Sequence, residues 1–427
     1  MLLNLVLAGL LALTTNQIHF PFSTGVPGLN LVNLVFLAAL ALLLLRGRQP
    51  PLPTPRLRGP LLFYIAALTI ALLISLLARP RVAMDDITYF KILVSYPLYY
   101  LLVYYGVRDS RSALRLIAVI LAIAGLAAVE ALREAADYGF TYAETRRAAG
   151  PFGPDYRSSN RAGVFFAVFL PVFLSIFLFM RGHRWWRLAA GGACLLLVAA
   201  ILFTYSRQSY LIGLFGVALV LLRRGIGISL LALVLAAVVF PYLPEGATER
   251  VQETQQTGEF GEEQVDESTA SRWELWRAGM VMWSEHPMGI GLNRFQHMVG
   301  DYSYYAGKDA HNYYVLTLVE AGPLGLLALL ALFFGFWRLA ALAQRSAQDY
   351  ATYALAQGLR VAAIALMLGN VYGGPFRDGE VMAVIWALFA LVERLAQLRA
   401  QEFQVEAPAV GKAIHDSGSM PVQESGR

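Results

Sequence analysis

Long apolar runs recur along almost the whole chain, and no other feature constrains its fold as strongly. They lie near residues 1–14, 29–45, 60–78, 88–106, 113–132, 162–181, 187–205, 209–223, 226–243, 312–337, 351–372 and 380–397. Each is long enough, or nearly so, to cross about 30 Å of hydrocarbon as a helix rising about 1.5 Å per residue. The first and eighth are short. The runs are continuous and do not alternate, which reads as helices and not as a barrel. Composition agrees: 57% of residues are hydrophobic and 15% are charged, whereas a soluble domain carries about 25% charged residues. The expectation is an all-α, polytopic integral membrane protein of about twelve transmembrane helices.

Orientation follows from arginines in the short loops. Arg46, Arg48, Arg56 and Arg58 crowd one loop, and Arg108, Arg111 and Arg115 another. Arg181, Arg184 and Arg187 mark a third, Arg223 and Arg224 a fourth, Arg338 and Arg345 a fifth. In a twelve-span count these are alternate loops, so all five fall on one side, the cytoplasmic side, with both termini. The N-terminus has no basic region or small-residue cleavage site and reads as a first span. The transmembrane domain is expected over 1–399 and a polar, disordered cytoplasmic tail over 400–427. The single cysteine, Cys194, excludes an intramolecular disulfide, and a net charge of +5 is no nucleic-acid signal.

The opposite face carries two larger loops, 133–161 and 244–311. The second begins acidic, with Glu245, Glu249, Glu253, Glu259, Glu262, Glu263, Asp266 and Glu267 against Arg250. Ser271 followed by Glu274 then reads as a capping box. After it Trp273, Trp276, Met280 and Trp283 recur at helical spacing, as in an amphipathic helix lying along the membrane interface or a plain aromatic belt.

Arginines on this outer face need a reason, since loop arginines collect on the cytoplasmic side. Arg146, Arg147, Arg157 and Arg161 lie in or at the end of the first outer loop. Arg207 sits in the very short turn Thr204-Tyr205-Ser206-Arg207-Gln208, and Arg272 opens the interfacial helix. One reading is that they snorkel to lipid headgroups. The other is that their rigid forks of donors hold phosphate oxygens, as a lipid-linked diphosphate would require. His311, in Asp309-Ala310-His311-Asn312-Tyr313-Tyr314, taken alone reads as an interfacial polar residue at a span boundary. The outer histidines show no metal-ligand spacing, which points to metal-independent chemistry without a cofactor. Glu320 and Arg360 are charges within spans, read as an ion pair between neighbouring helices or, for Glu320, as a support for the His311 region. Gly322-Pro323 should bend the tenth helix.

These motifs, in their order, resemble the O-antigen ligase and O-antigen polymerase superfamily of bacterial membrane glycosyltransferases. The residues that carry the likeness are Asn160-Arg161-Ala-Gly, Thr204-x-Ser206-Arg207, and Arg272-x-x-x-Trp276 continued by His286-Pro287-Met-Gly289-Ile-Gly291-Leu-x-x-Phe295. His311-Asn312-x-Tyr314 and Glu320-Ala-Gly322-Pro-Leu-Gly325 complete the set. The resemblance implies a multi-pass protein of the bacterial inner membrane with its active site facing the periplasm. It implies transfer of a glycan from an undecaprenyl-diphosphate carrier to an acceptor hydroxyl, such as one on lipid A-core. His311 would be the general base. Arg207 and Arg272 would hold the donor diphosphate, with Arg161 a further candidate and Asn160, Asn312 and Glu320 in support.

Elementary chemistry agrees with that assignment. A donor outside the cytoplasm must bring its own leaving group, and preorganised arginines can stabilise the charge that develops on a departing diphosphate. A histidine near neutral pKa can take the acceptor's proton. The reading adopted is a ligase. The alternatives are a polymerase joining lipid-linked repeat units, a protein O-oligosaccharyltransferase, and a twelve-helix transporter. A transporter places substrate groups at midplane on broken helices related by a repeat. This chain shows no repeat, and its notable polar residues cluster at the outer face.

Overall fold

The computed structural model describes residues 1–20, 30–47, 49–78, 83–143, 146–153, 156–239, 255–257, 263–265 and 267–417. The apolar runs form α1 (Leu2–Thr15), α2 (Leu31–Leu44), α3 (Arg58–Ala78), α4 (Ala83–Ser95), α5 (Leu98–Gly106) and α6 (Ser110–Asp137). After the first outer loop come α7 (Tyr156–Phe179), α8 (Arg184–Phe203), α9 (Arg207–Arg224) and α10 (Ile226–Val239). The second loop contributes α11 (Glu267–Glu285), and α12 (Tyr313–Arg345), α13 (Tyr350–Gly369) and α14 (Gly379–Ser417) complete the chain. Side-chain caps fix several starts. Asn30 accepts from the Asn33 amide, Asp109 from Ser112, Asn312 from Tyr314 and Val315, and Asp349 from Thr352.

Among the described residues eight helices are long and apolar enough to cross a membrane, with α4 and α5 together supplying one of them. Three more apolar helices, Leu2–Thr15, Leu31–Leu44 and Ile226–Leu235, are shorter. The protein is polytopic and helical; among the described residues eight helices meet the length and composition that crossing requires, so the expected count of about twelve is not confirmed. One departure from an all-helical chain is an antiparallel pair, β1 (Gln255–Thr257) with β2 (Glu263–Val265), inside the acidic loop. The other residues of 240–266 lie outside the described residues. Past residue 400 the last helix continues to Ser417, into the segment expected as a disordered tail, and 418–427 lie outside the described residues.

Packing forms two groups of helices joined by a third. α14, the most enclosed span, packs against α1, α5, α6 and α12. α7 packs against α8, α9 and α13. α12 bridges the groups by contacting α3, α11, α13 and α14. Buried charges in α14 are satisfied: Glu393 accepts from the Tyr100 hydroxyl at 2.5 Å and from the Arg56 amide at 3.1 Å.

α12 bends where its sequence breaks the helical ladder. Gly322 has φ 66° and ψ −171°, a region open to glycine, and Pro323 has no N–H to donate. The carbonyls freed by this break are met from the chain before it. Ile290 N–H donates to Val319 O at 2.9 Å and Gly291 N–H to Glu320 O at 3.0 Å. The approach leaves no room for a side chain, since a Cβ on Gly289 would sit 2.7 Å from both Glu320 O and Gly322 N. The Glu320 carboxylate accepts from the backbone amides of Arg294 and Phe295 at 3.0 and 3.1 Å. It does not pair with Arg360, whose Nη1 lies 3.4 Å from Gln344 Oε1 and whose guanidinium sits over Trp337. The expected ion pair is therefore absent, because α12 turns Glu320 toward the 294–295 turn.

Candidate active site

Helix ends converge at one end of the bundle. α7 and α9 begin there, α12 begins there, and α13 ends there. Asn160 and Arg161 of α7, Gln208 of α9, Arg272 of α11, Asp309 and His311 before α12, and the segment from Gly369 to Asp378 line a cavity of about 160 Å³. Three of the four helix ends are N-terminal, so their exposed amides and dipoles favour an anion.

His311 is fixed from both sides. Its backbone has φ 49°, a left-handed conformation uncommon for a residue with a Cβ. Immediately after it, Asn312 caps α12, and the Tyr313 amide donates to Asn370 O at 2.9 Å. Immediately before it, Trp276 Nε1 donates to Ala310 O at 2.9 Å, and Asp309 pairs with Arg377. Such conformations persist where the surroundings over-determine them.

Three arginines (161, 272 and 377) and two aspartates (309 and 378) border the cavity. Arg161 Nε lies 3.2 Å from Asp378 Oδ2, and Arg161 Nη1 donates to Phe152 O at 3.3 Å. The Arg272 guanidinium sits 5.9 Å from the Tyr372 ring centroid, and Trp276 packs against the same ring at 5.5 Å between centroids. Burial pushes the Asp378 carboxyl up to about 6, against the opposing pull of Arg161 and Arg377. Burial weakens the Arg377 cation, but the charges of Asp309, Tyr89 and Asp378 outweigh it and raise its pKa.

The cavity gathers His311, Arg272, Arg161 and Asn160 of the expected set. Arg207 is the first residue of α9 and half-buried, but Gln208, not Arg207, lines the cavity. The turn before it is clamped: Tyr205 has φ 49°, and the buried Arg147 donates from Nε to Thr204 O at 2.8 Å and from Nη2 to Asn160 Oδ1 at 2.9 Å. Arg147 thus ties Asn160 to the Thr204–Arg207 turn. Arg146 is exposed, and the Arg157 side chain lies outside the described residues. Asn312 and Glu320 act on the backbone, one as cap and the other at the 294–295 turn.

Two local expectations change. α11 starts at Glu267, so Ser271 lies inside it and does not cap it, and Glu274 pairs with Arg277 at 2.8 Å. The residues at helical spacing along α11 also do not share one environment. Trp273 and Met280 are exposed, while Trp276 and Trp283 turn toward the protein.

Asp309, Gln208, Tyr372, Arg377 and Asp378 were missed in the sequence. A signal was present for Arg377, which lies in the polar run Gly373-Gly-Pro-Phe-Arg377-Asp378 between the last two spans, on the same face as the other unexpected arginines.

No curated protein matches the chain. Residues 192–330 match the family model described as O-antigen ligase. The matched segment holds Arg207, Arg272, His311 and Glu320, and it ends before the 369–378 segment that closes the cavity. Over this third of its length the chain is similar to O-antigen ligases, which supports the resemblance to the O-antigen ligase and polymerase superfamily of membrane glycosyltransferases.

Proposed function

We propose that the protein transfers a glycan from an undecaprenyl-diphosphate carrier to an acceptor hydroxyl at the periplasmic face of the inner membrane, as an O-antigen ligase. The observation that carries this reading is the meeting of His311 with Arg161 and Arg272 in one polar cavity where helices begin. Arg272 and Arg161 hold the donor diphosphate, with Arg207 supporting the adjoining turn. His311 accepts the proton of the acceptor hydroxyl as its oxygen bonds to the anomeric carbon. The bond from that carbon to the diphosphate oxygen breaks, and the lipid diphosphate leaves with the electron pair. Its growing charge falls on donors already in place, which need not reorganise during the step. The acceptor is a lipid A-core or related glycan, and neither a metal nor a cofactor takes part.

The test is reconstitution in lipid vesicles with a defined undecaprenyl-diphosphate glycan and acceptors added one at a time. Glycan appearing on a lipid-core acceptor, with donor length unchanged, is the expected result. Donor that lengthens by repeat units without any other acceptor would make the protein a polymerase. An inert donor under every condition would remove the proposal.

A further inference from the structure

At the far ends of the same helices lies a second concentration of charge. Arg181 follows α7, Arg223 and Arg224 end α9, Arg345 ends α12, and Arg360 lies within α13. Among the described residues none of these five forms an ion pair with a carboxylate. Arg181 and Arg224 border a cavity of about 520 Å³. Its aromatic walls meet the arginines: the Arg181 guanidinium lies 5.5 Å from the Tyr350 ring centroid and that of Arg224 6.0 Å from Phe179. Asp349 also borders it, but that carboxylate is engaged by Arg399 at 3.5 Å and caps α13 through the Thr352 amide at 2.8 Å. Further along α13, Arg360 is half-buried, 3.4 Å from Gln344 Oε1 and 4.8 Å over the Trp337 ring, with Arg223 and Arg345 close enough for their charges to act on it.

Arginines that merely snorkel would splay apart, each toward its own phosphate. Here they are gathered into two adjoining groups, where like charges repel unless an anion lies between them. Aromatic rings beside arginines at the level of a helix end match the headgroup region of a bilayer. Basic pockets between transmembrane helices on the cytoplasmic side recognise anionic lipid headgroups.

We propose that this pocket binds an anionic phospholipid whose headgroup carries two phosphodiesters, of the cardiolipin type, one phosphate on Arg181 and Arg224 and the other on Arg223, Arg345 and Arg360. The two adjoining groups of arginines favour a doubly charged headgroup over a singly charged one. The phosphate chemistry is shared with free phosphate, whereas the aromatic walls and the neighbouring apolar helix surfaces suit a lipid. The assignment is independent of the reaction at the other end of the bundle.

The test is thermal unfolding of the purified full-length protein in detergent, titrated separately with cardiolipin, phosphatidylglycerol, phosphatidylcholine and inorganic phosphate. Ligand that binds only the folded state raises Tm. Cardiolipin is expected to raise Tm by several degrees, phosphatidylglycerol by less, and the other two not at all. The double variant Arg224→Gln, Arg360→Gln should lose most of the cardiolipin shift, while Arg111→Gln, an exposed arginine elsewhere, should keep it. The single variants Arg181→Gln and Arg224→Gln, both at exposed positions, should each lose part of the shift even where the double variant folds poorly. An undiminished shift in the single variants overturns the site. An equal shift with inorganic phosphate overturns the lipid assignment and leaves a simple anion site. No shift with any lipid overturns both.

Discussion

Trp276 carries two contacts that matter to His311, and they can be separated. Its ring packs on Tyr372, and its N–H holds Ala310 O, the carbonyl just before His311. Trp276→Phe keeps most of the ring and deletes the donor. Losing one hydrogen bond of about 1 kcal/mol from the positioning of the base should lower kcat roughly fivefold to tenfold. The KM for the donor should barely move, because Arg161 and Arg272 are untouched. An unchanged kcat would show that His311 is held adequately without this bond. Asp378 gives a second residue-scale prediction, in pH. Its folded value of about 6 lies above the ordinary carboxylate value, because burial disfavours the anion. The folded state therefore binds this proton more tightly than the unfolded chain does. Its contribution to stability is full below about pH 4 and is lost as pH rises through about 6. Compared with Asp378→Asn, the wild-type Tm should thus be relatively highest in acid, with the difference falling across that window and flat above it. A difference that grows with pH would contradict the burial.

At the scale of elements, the two glycine-rich motifs of the second loop and of α12 turn out to be halves of one lock. Pro323 and Gly322 free the Val319 and Glu320 carbonyls, and Ile290 and Gly291 satisfy them. Gly289→Ala should cost roughly 1–3 kcal/mol, from its backbone at φ 94° and its contact with Glu320 O. Pro323→Ala leaves the Ile290–Val319 bond in place and should cost less. Comparing the two by thermal unfolding checks the lock, and a Gly289→Ala protein as stable as wild type would dismantle it. The bend itself was legible in the sequence, since Gly-Pro in an apolar helix has few other meanings. The partner of the bend was not, because nothing local says which distant amides will meet the freed carbonyls. The same reason explains Glu320 and Arg360: each was visible as a charge in a span, but their packing directions, toward the 294–295 turn and toward Trp337, are tertiary facts. Asp309 and Asp378 were hidden because an acidic residue in an outer loop is ordinarily just solvated. Pairing with Arg377 and Arg161 gives them their place in the cavity.

For the whole molecule, the alternation of arginine-rich loops and the convergence of α7, α9, α12 and α13 at one end are separate observations that fit the same arrangement. The proposed orientation puts the cavity end in the periplasm and the two groups of arginines in the cytoplasmic leaflet. Introducing Gln255→Cys in a Cys194→Ser background should give a thiol labelled by a membrane-impermeant reagent from the periplasmic side. Labelling from the cytoplasmic side alone would reverse the orientation. The central claim is that one chain, with His311 as base and arginines as diphosphate holders, moves a glycan off a lipid carrier. The most direct measurement is single-turnover transfer by the purified protein in vesicles, comparing wild type with His311→Ala and His311→Gln while donor binding is followed in parallel. An amide can hydrogen-bond an acceptor but cannot take its proton near neutral pH. The account predicts that both variants bind the lipid-linked donor as wild type does and transfer almost nothing. Transfer by His311→Gln at the wild-type rate would contradict it.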